Sequence, residues 1–185
     1  ILMKANSLTE RSIIDKLSEA SCAGVEINLI IRGICCILPG IEGYTENIRV
    51  FSLVGRFLEH HRVYMFGQKD ERKIYISSAD IMTRNLARRV EIACPVLDPE
   101  LKSRIEHTAE VILSDNVKLR ELKNDGNYIR VTAGTGKRIN AQDIFIEEAK
   151  AGVAEILGED TGQRVQTGIG AILSRLKAIF RNKRQ

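Results

Sequence analysis

Only three histidines occur in 185 residues, and two of them stand side by side, His60 and His61, in "GRFLEHHRVYMFG". Glu59 and Arg62 flank the pair, and "YISSAD" and "IMTRNLARR" follow further along. An imidazole can donate a hydrogen bond, shuttle a proton or attack phosphorus, and arginine offers a planar fork that matches phosphoryl oxygens. Gathered at one point, these residue types suit the binding of a phosphate. A hairpin would gather them: "HRVYMF" and "KIYISS" alternate like strands on either side of the polar run "GQKDER". Antiparallel pairing sets the start of the first strand beside the end of the second. His60, Arg62, Ser77, Ser78 and Asp80 are therefore expected at one end, with Arg84, Asn85, Arg88 and Arg89 in the loop beyond.

The residues alone leave plainer roles open. His60 could be a hydrogen-bonded histidine at a strand start, Ser77 and Ser78 could simply satisfy a turn, and Arg88 rivals Arg89. His61 is expected on the opposite side of the local backbone, and His107 on the surface of a helix. Arg32 ends the apolar run "VEINLII", at a strand end, where α/β proteins place ligands.

The elements around these residues follow from pattern. Ser7 and Glu10 form a capping-box signal for a helix with apolar face Ile13, Ile14, Leu17 and Ala20, closed by Gly24. "VEINLIIRGICCIL" is too continuously apolar to have a wet face and is predicted as a central strand. Pro39, Gly40 and Gly43 break the chain into a loop, and residues 48–60 fit a short strand or a short helix equally. "RRVEIACPVL" is a further strand, and Asp98-Pro99 starts a helix carrying Leu101, Ile105 and Ile112. "NYIRVTAGTGKR" reads as irregular chain before a helix near 141–157. Residues 164–180 repeat Val165, Ile169, Ile172, Leu176 and Ile179 at helical spacing, opposite a basic face. The expected fold is α/β, a mixed sheet with flanking helices, in a domain of residues 1–140 followed by a helical extension, 141–185.

Composition narrows the setting. With 44% hydrophobic and 28% charged residues the chain is an ordinary globular one, without an apolar run of bilayer length or a signal-peptide pattern. It opens in what reads as the middle of a strand, as a fragment of a larger protein would. Six basic residues and no acidic ones lie in 164–185, so removing them from the net charge of +4 leaves −2 on residues 1–163. General affinity for nucleic acid is thus not expected of the body, and any anion site there must be built from a few placed arginines. Cys22, Cys35, Cys36 and Cys94 show no metal-ligand spacing and lie in apolar surroundings, which suggests core thiols in a reduced, cytoplasmic protein.

His60-x-Arg62 followed by Ser77-Ser78-Ala79-Asp80 resembles a half-motif of the phospholipase D superfamily, with arginine for the usual lysine and aspartate for the usual asparagine. Longer blocks are more specific. "KANSLTERSIIDKLSEASCAGVEINLIIRGICCILPG", "ENIRVFSLVGRFLEHHRVYMF" and "YISSADIMTRNLARRVEIACPVLDP" together resemble the C-terminal domain of bacterial polyphosphate kinase, which is phospholipase D-like. The resemblance runs over residues 1–125 and fades after 140. It implies reversible transfer of the terminal phosphate of ATP to inorganic polyphosphate, with magnesium, through a phosphohistidine in an upstream domain. That nucleophile is not His60, and no magnesium ligand is expected from this part. By resemblance, Arg32 and His60 contact the phosphates of the nucleotide, His60 as the catalytic ligand or proton donor, and Arg89 lines the same tunnel as a further phosphate-binding candidate. Ser77 and Ser78 join the phosphate-binding candidates through their place in the hairpin. The implied partners are ATP or ADP, polyphosphate and further copies of the chain, without nucleic acid, and with peripheral membrane contact open to the basic tail. This part alone is expected to bind without turnover. Two rivals are a phospholipase D-like phosphodiesterase, which needs a second half-motif, and a non-catalytic polyanion-binding module driven by the tail.

Overall fold

The computed structural model describes residues 1–68 and 71–156. The amphipathic helix anticipated at 164–180 lies outside them. Twelve elements follow one another: β1 (Leu2–Ala5), α1 (Arg11–Cys22), β2 (Ile27–Ile31), β3 (Ile48–Ser52), β4 (Arg62–Phe66), β5 (Lys73–Ser77), α2 (Thr83–Arg88), β6 (Ala93–Val96), α3 (Pro99–Ser114), β7 (Arg120–Leu122), β8 (Tyr128–Arg130) and α4 (Ala141–Ile156). The strands form one sheet in the order β6-β5-β4-β1-β2-β3-β7-β8. β1, β2 and β3 are parallel, and every other pairing is antiparallel. The fold is α/β with a mixed sheet, as the sequence pattern implies.

The apolar run at 25–38 yields a short central strand because only its first half has two faces to bury. Ile27, Leu29 and Ile31 pack with Leu17 of α1, while Ile30 points the other way, against Val111 and Ile112 of α3 and Ala141 of α4. Val63, Met65, Ile74 and Val96 meet Ala109 of α3 on that second face. α1 therefore covers one side of the sheet, and α3 and α4 the other. α3 begins where Asp98 and Pro99 predict, with Asp98 accepting from the N–H groups of Glu100 and Leu101. Pro95 is accommodated because β6 is an edge strand.

Four expectations are corrected. α1 starts at Arg11, capped by Glu10 without a side-chain bond. Ser7 is instead occupied by its neighbours: its carbonyl accepts from Ile81 N, and Leu8 bridges to both Cys35 and Ile81. Those backbone bonds win over a capping box because they tie three segments together at the top of the sheet. Second, residues 120–130 form a hairpin, β7-β8, which adds a far edge to the sheet. Third, Cys36, Cys22 and Cys94 are exposed, and only Cys35 packs against the core. The chain leaves the sheet at Arg32, and in the loop after it Ile37 and Cys35 still reach the core while Ile34, Cys36 and Leu38 emerge. Fourth, His107 is half-buried, its Nε2 2.7 Å from Glu148 Oε1, where α3 meets α4.

Candidate functional site

The candidate residues lie along one rim of the sheet. The parallel strands β1, β2 and β3 all leave the sheet there, and the register places Arg62 beside Ser77 and Ser52 beside Arg120 on the same side. Space outside the carboxyl ends of parallel strands is where open α/β sheets receive ligands.

Asn6, one residue past β1, is the centre of the rim. Its N–H donates to Asp80 Oδ1 at 2.7 Å, its Nδ2 donates to Oδ2 at 3.4 Å, and its own Oδ1 accepts from Arg32 Nε at 3.0 Å. Arg62 grips Asp80 from the other side, Nε to Oδ1 at 3.2 Å and Nη2 to Oδ2 at 2.8 Å. Burial alone would raise the Asp80 carboxyl, but the bonds from Arg62 and Asn6 outweigh it and hold the group below its ordinary value. Arg62 also holds His60. Nη1 donates to the His60 carbonyl at 3.1 Å, and Nη1 and Nη2 lie 3.1 Å from Nδ1 and Nε2 of the ring. A guanidinium only donates, and a neutral imidazole has one lone-pair nitrogen. At most one of those two contacts is thus a hydrogen bond. His60 and Arg32 are joined by one chain of bonded side chains through Arg62, Asp80 and Asn6.

A second pair lies behind this chain. Lys4 Nζ is 3.3 Å from Glu59 Oε2, with only 6% and 11% of the two side chains exposed. Burial pulls the Lys4 ammonium below its usual pKa, with Glu59 opposing and Arg32 adding to the shift. Gln142, at the start of α4, donates to Glu59 Oε1 at 3.0 Å and clamps the backbone of Phe57 from both its amide atoms. The segment carrying His60 is fixed from α4, some eighty residues away in sequence. His61 faces Lys4. Much of the residue is open, yet enough protein crowds the ring that lost hydration, with Lys4 beside it, lowers its pKa to about 4.

Ser77 and Ser78 satisfy local structure: Ser77 Oγ donates to Ile92 O and accepts from Ala79 N, and Ser78 Oγ donates to Glu91. Arg89 follows the short helix α2 and lines a cavity of about 390 Å³ with Ser77, Tyr64, Asn85 and Glu91. Arg32 lines a different one, of about 420 Å³, between the ends of β2 and β3 and the β7-β8 hairpin. Arg32 and Arg89 thus share the rim without sharing a cavity.

The cavity beside Arg32 contains residues that pattern reading passes over. Lys118, Arg120, Tyr128 and Arg130 line it, with Gly33, Ser52 and Val54. The missed signal is Asn124-Asp125-Gly126, a three-residue hairpin loop between "RELK" and "NYIRV". Gly126 sits at φ 85°, which glycine adopts without strain. Asn6 and Gln142 carry no pattern signal, since each matters only through partners distant in sequence.

Residues 1–142 match the family described as "Polyphosphate kinase C-terminal domain 2". The chain is 54% identical over 142 residues to a polyphosphate kinase of Bacillus cereus, an overlap of 77% of this chain and 20% of that protein. A polyphosphate kinase of Lactiplantibacillus plantarum is 48% identical over 161 residues, 87% of this chain and 22% of its own length. The crystal structure of polyphosphate kinase from Porphyromonas gingivalis superposes with a TM-score of 0.77 at 42% identity, covering 81% of this chain and 23% of that one. This chain accordingly spans about a fifth of the length of these relatives, and its sheet has their phospholipase D-like arrangement.

Proposed function

This chain belongs to the Polyphosphate kinase C-terminal domain 2 family, and we propose that it is the part of a polyphosphate kinase that holds the phosphates exchanged between ATP and inorganic polyphosphate. The observation that carries this reading is the bonded chain from Arg32 to His60. It fixes a guanidinium and an imidazole on one rim before any ligand arrives. Preorganised donors stabilise charge in a transferring phosphoryl group without reorganising during the reaction.

In this reading Arg32 spends Nε on Asn6 and turns its remaining donors to phosphoryl oxygens. His60, exposed and propped by Arg62, donates to the terminal or bridging phosphate, where it steadies developing charge or supplies a proton. Arg89 serves phosphate at the neighbouring cavity, while Ser77, in its wall, and Ser78 give their hydroxyl hydrogens to Ile92 O and Glu91 rather than to the ligand. The attacking nucleophile is a histidine of another domain, which displaces ADP from the terminal phosphorus of ATP. As phosphohistidine it passes the phosphoryl group to the polyphosphate end, so this part binds and does not turn over alone. The helix that opens the extension, α4, braces the site through Gln142.

Magnesium accompanies the nucleotide in this chemistry. Among the described residues no group of three or more histidine, cysteine, aspartate or glutamate side chains could hold a metal ion. Cytoplasmic location and a homo-oligomer belong to the same proposal. No described helix is long and apolar enough to cross a membrane, and membrane contact is assigned to the basic tail, which lies outside the described residues.

His60→Ala, made in the full-length kinase, tests the reading. Phosphate transfer should fall by about 10²–10⁴-fold while the circular dichroism and melting temperature stay unchanged, because the side chain is exposed. Near-normal transfer would refute the role.

A further inference from the structure

We propose that the β7-β8 hairpin and the loop before it form a separate subsite for an extended condensed-phosphate chain, built by Lys118, Arg120 and Arg130 beside Arg32. The proposal rests on the phosphate-transfer reading above and assigns the path of the long anion, not the nucleotide.

Three observations carry it. The cavity of about 420 Å³ has four cationic side chains in its lining and no carboxylate, and its size falls in the range of small-ligand pockets. Among the described residues none of these four cations is in a salt bridge, whereas Arg49, Arg62, Arg72 and Lys123 all are. Arg120 and Arg130 are directly opposite each other in the β7-β8 register. Like charges at that position repel, and the arrangement becomes favourable when an anion bridges them.

The carboxylates that neighbour Arg120 and Lys118 in sequence are used elsewhere. Glu121, next to Arg120, lies on the other face of the strand and is consumed by Arg49 at 2.9 Å and Lys123 at 2.6 Å. Asp115, three residues before Lys118, is fully buried. Its Oδ1 accepts from the N–H groups of Val117, Lys118 and Leu119, and its Oδ2 from Ala141 N. Asp115 therefore has no capacity left to neutralise Lys118, and its bonds hold the loop that presents the lysine. Positive charge is left open while the backbone beneath it is fixed. The hydroxyl of Tyr128 adds a donor to the same wall, while that of Ser52 donates to the Arg32 carbonyl at 3.3 Å.

The occupant is a condensed-phosphate chain and not a nucleic acid strand, because the lining offers a single aromatic ring, Tyr128, where strand-binding grooves stack successive bases on several. Lys118, Arg120 and Arg130 are exposed, so their substitution leaves the core intact.

Calorimetric titration of the 185-residue chain tests this with two probes, a long linear polyphosphate and a non-hydrolysable ATP analogue. Lys118→Gln, Arg120→Gln and Arg130→Gln should each weaken the long chain about tenfold, the loss of one charge-assisted contact. The salt dependence should become shallower with each substitution, and affinity for the ATP analogue should change less than threefold. Unchanged long-chain affinity in the triple variant, with an unchanged melting temperature, would overturn the proposal. So would equal losses for both probes, or a single-stranded DNA oligonucleotide of matched charge binding as tightly and losing the same factors. His60→Ala reports on the nucleotide reading separately: weakened analogue binding with intact long-chain binding sets the two sites apart, whereas parallel weakening of both would merge them and overturn a separate subsite.

Discussion

On the two sides of β2 the same rim treats positive charge in opposite ways. Toward β4, Arg62 is locked to Asp80 and Lys4 to Glu59, both pairs largely out of water. Toward β8, Arg120, Arg130 and Lys118 face one another around an open cavity, and their neighbouring carboxylates are used elsewhere. Paired cations are structural: they fix His60 and the strand ends. Unpaired ones await a ligand. Arg32 belongs to both regions, with Nε held by Asn6 and its head in the cavity lining. A count of basic residues would not separate the two groups. The position of the acids does.

The comparison breaks first at Asp80. Asp80→Ala strands Arg62 and unties Asn6, and removing one partner of a buried pair costs about 3–5 kcal/mol. Urea unfolding should register that loss, and a change under about 1 kcal/mol would mean the pair is incidental. The pH dependence follows from the lowered pKa of Asp80. Its stabilisation is complete above the unfolded carboxyl value of about 4 and drains away as pH falls through the lower folded value. Asp80→Asn should remove that acid-side slope.

Glu59→Ala is expected to cost less, about 2–3 kcal/mol, because a buried lysine without its partner sheds its proton instead of remaining charged. The folded Lys4 pKa already lies below the ordinary one. The unfolded chain then binds more protons, so the variant should regain stability as pH rises toward about 10. A pH-independent deficit would contradict this assignment.

The smallest effect distinguishes the open side. Arg120→Gln should raise stability by about 0.2–1 kcal/mol by relieving its repulsion with Arg130. A clear loss of stability would place Arg120 among the structural cations and erase the contrast.

How legible all this was in the sequence depends on range. The β4-β5 hairpin and the Asp98 cap were readable because their signals are local, and Arg62 falls opposite Ser77 as alternation requires. The meeting of Arg32 with His60 was not readable from spacing, since it passes through Asn6 and Asp80, 74 residues apart. The resemblance named both residues without supplying that link. β7 and β8 have only three residues each, too short for alternation to show, and their Asn-Asp-Gly loop was the one available sign. Apolar letters at 34–38 suggested core, but the chain had already left the sheet, and the cysteine at 36 emerges into solvent.

The most direct test is a residue-resolved one. Amide and side-chain NMR signals of the chain, titrated with the ATP analogue and then with long polyphosphate, should show the first ligand moving Arg32 and His60 and the second extending the response to Lys118, Arg120 and Arg130. Responses confined to the Arg89 cavity, with positions 32 and 60 silent under both ligands, would contradict it.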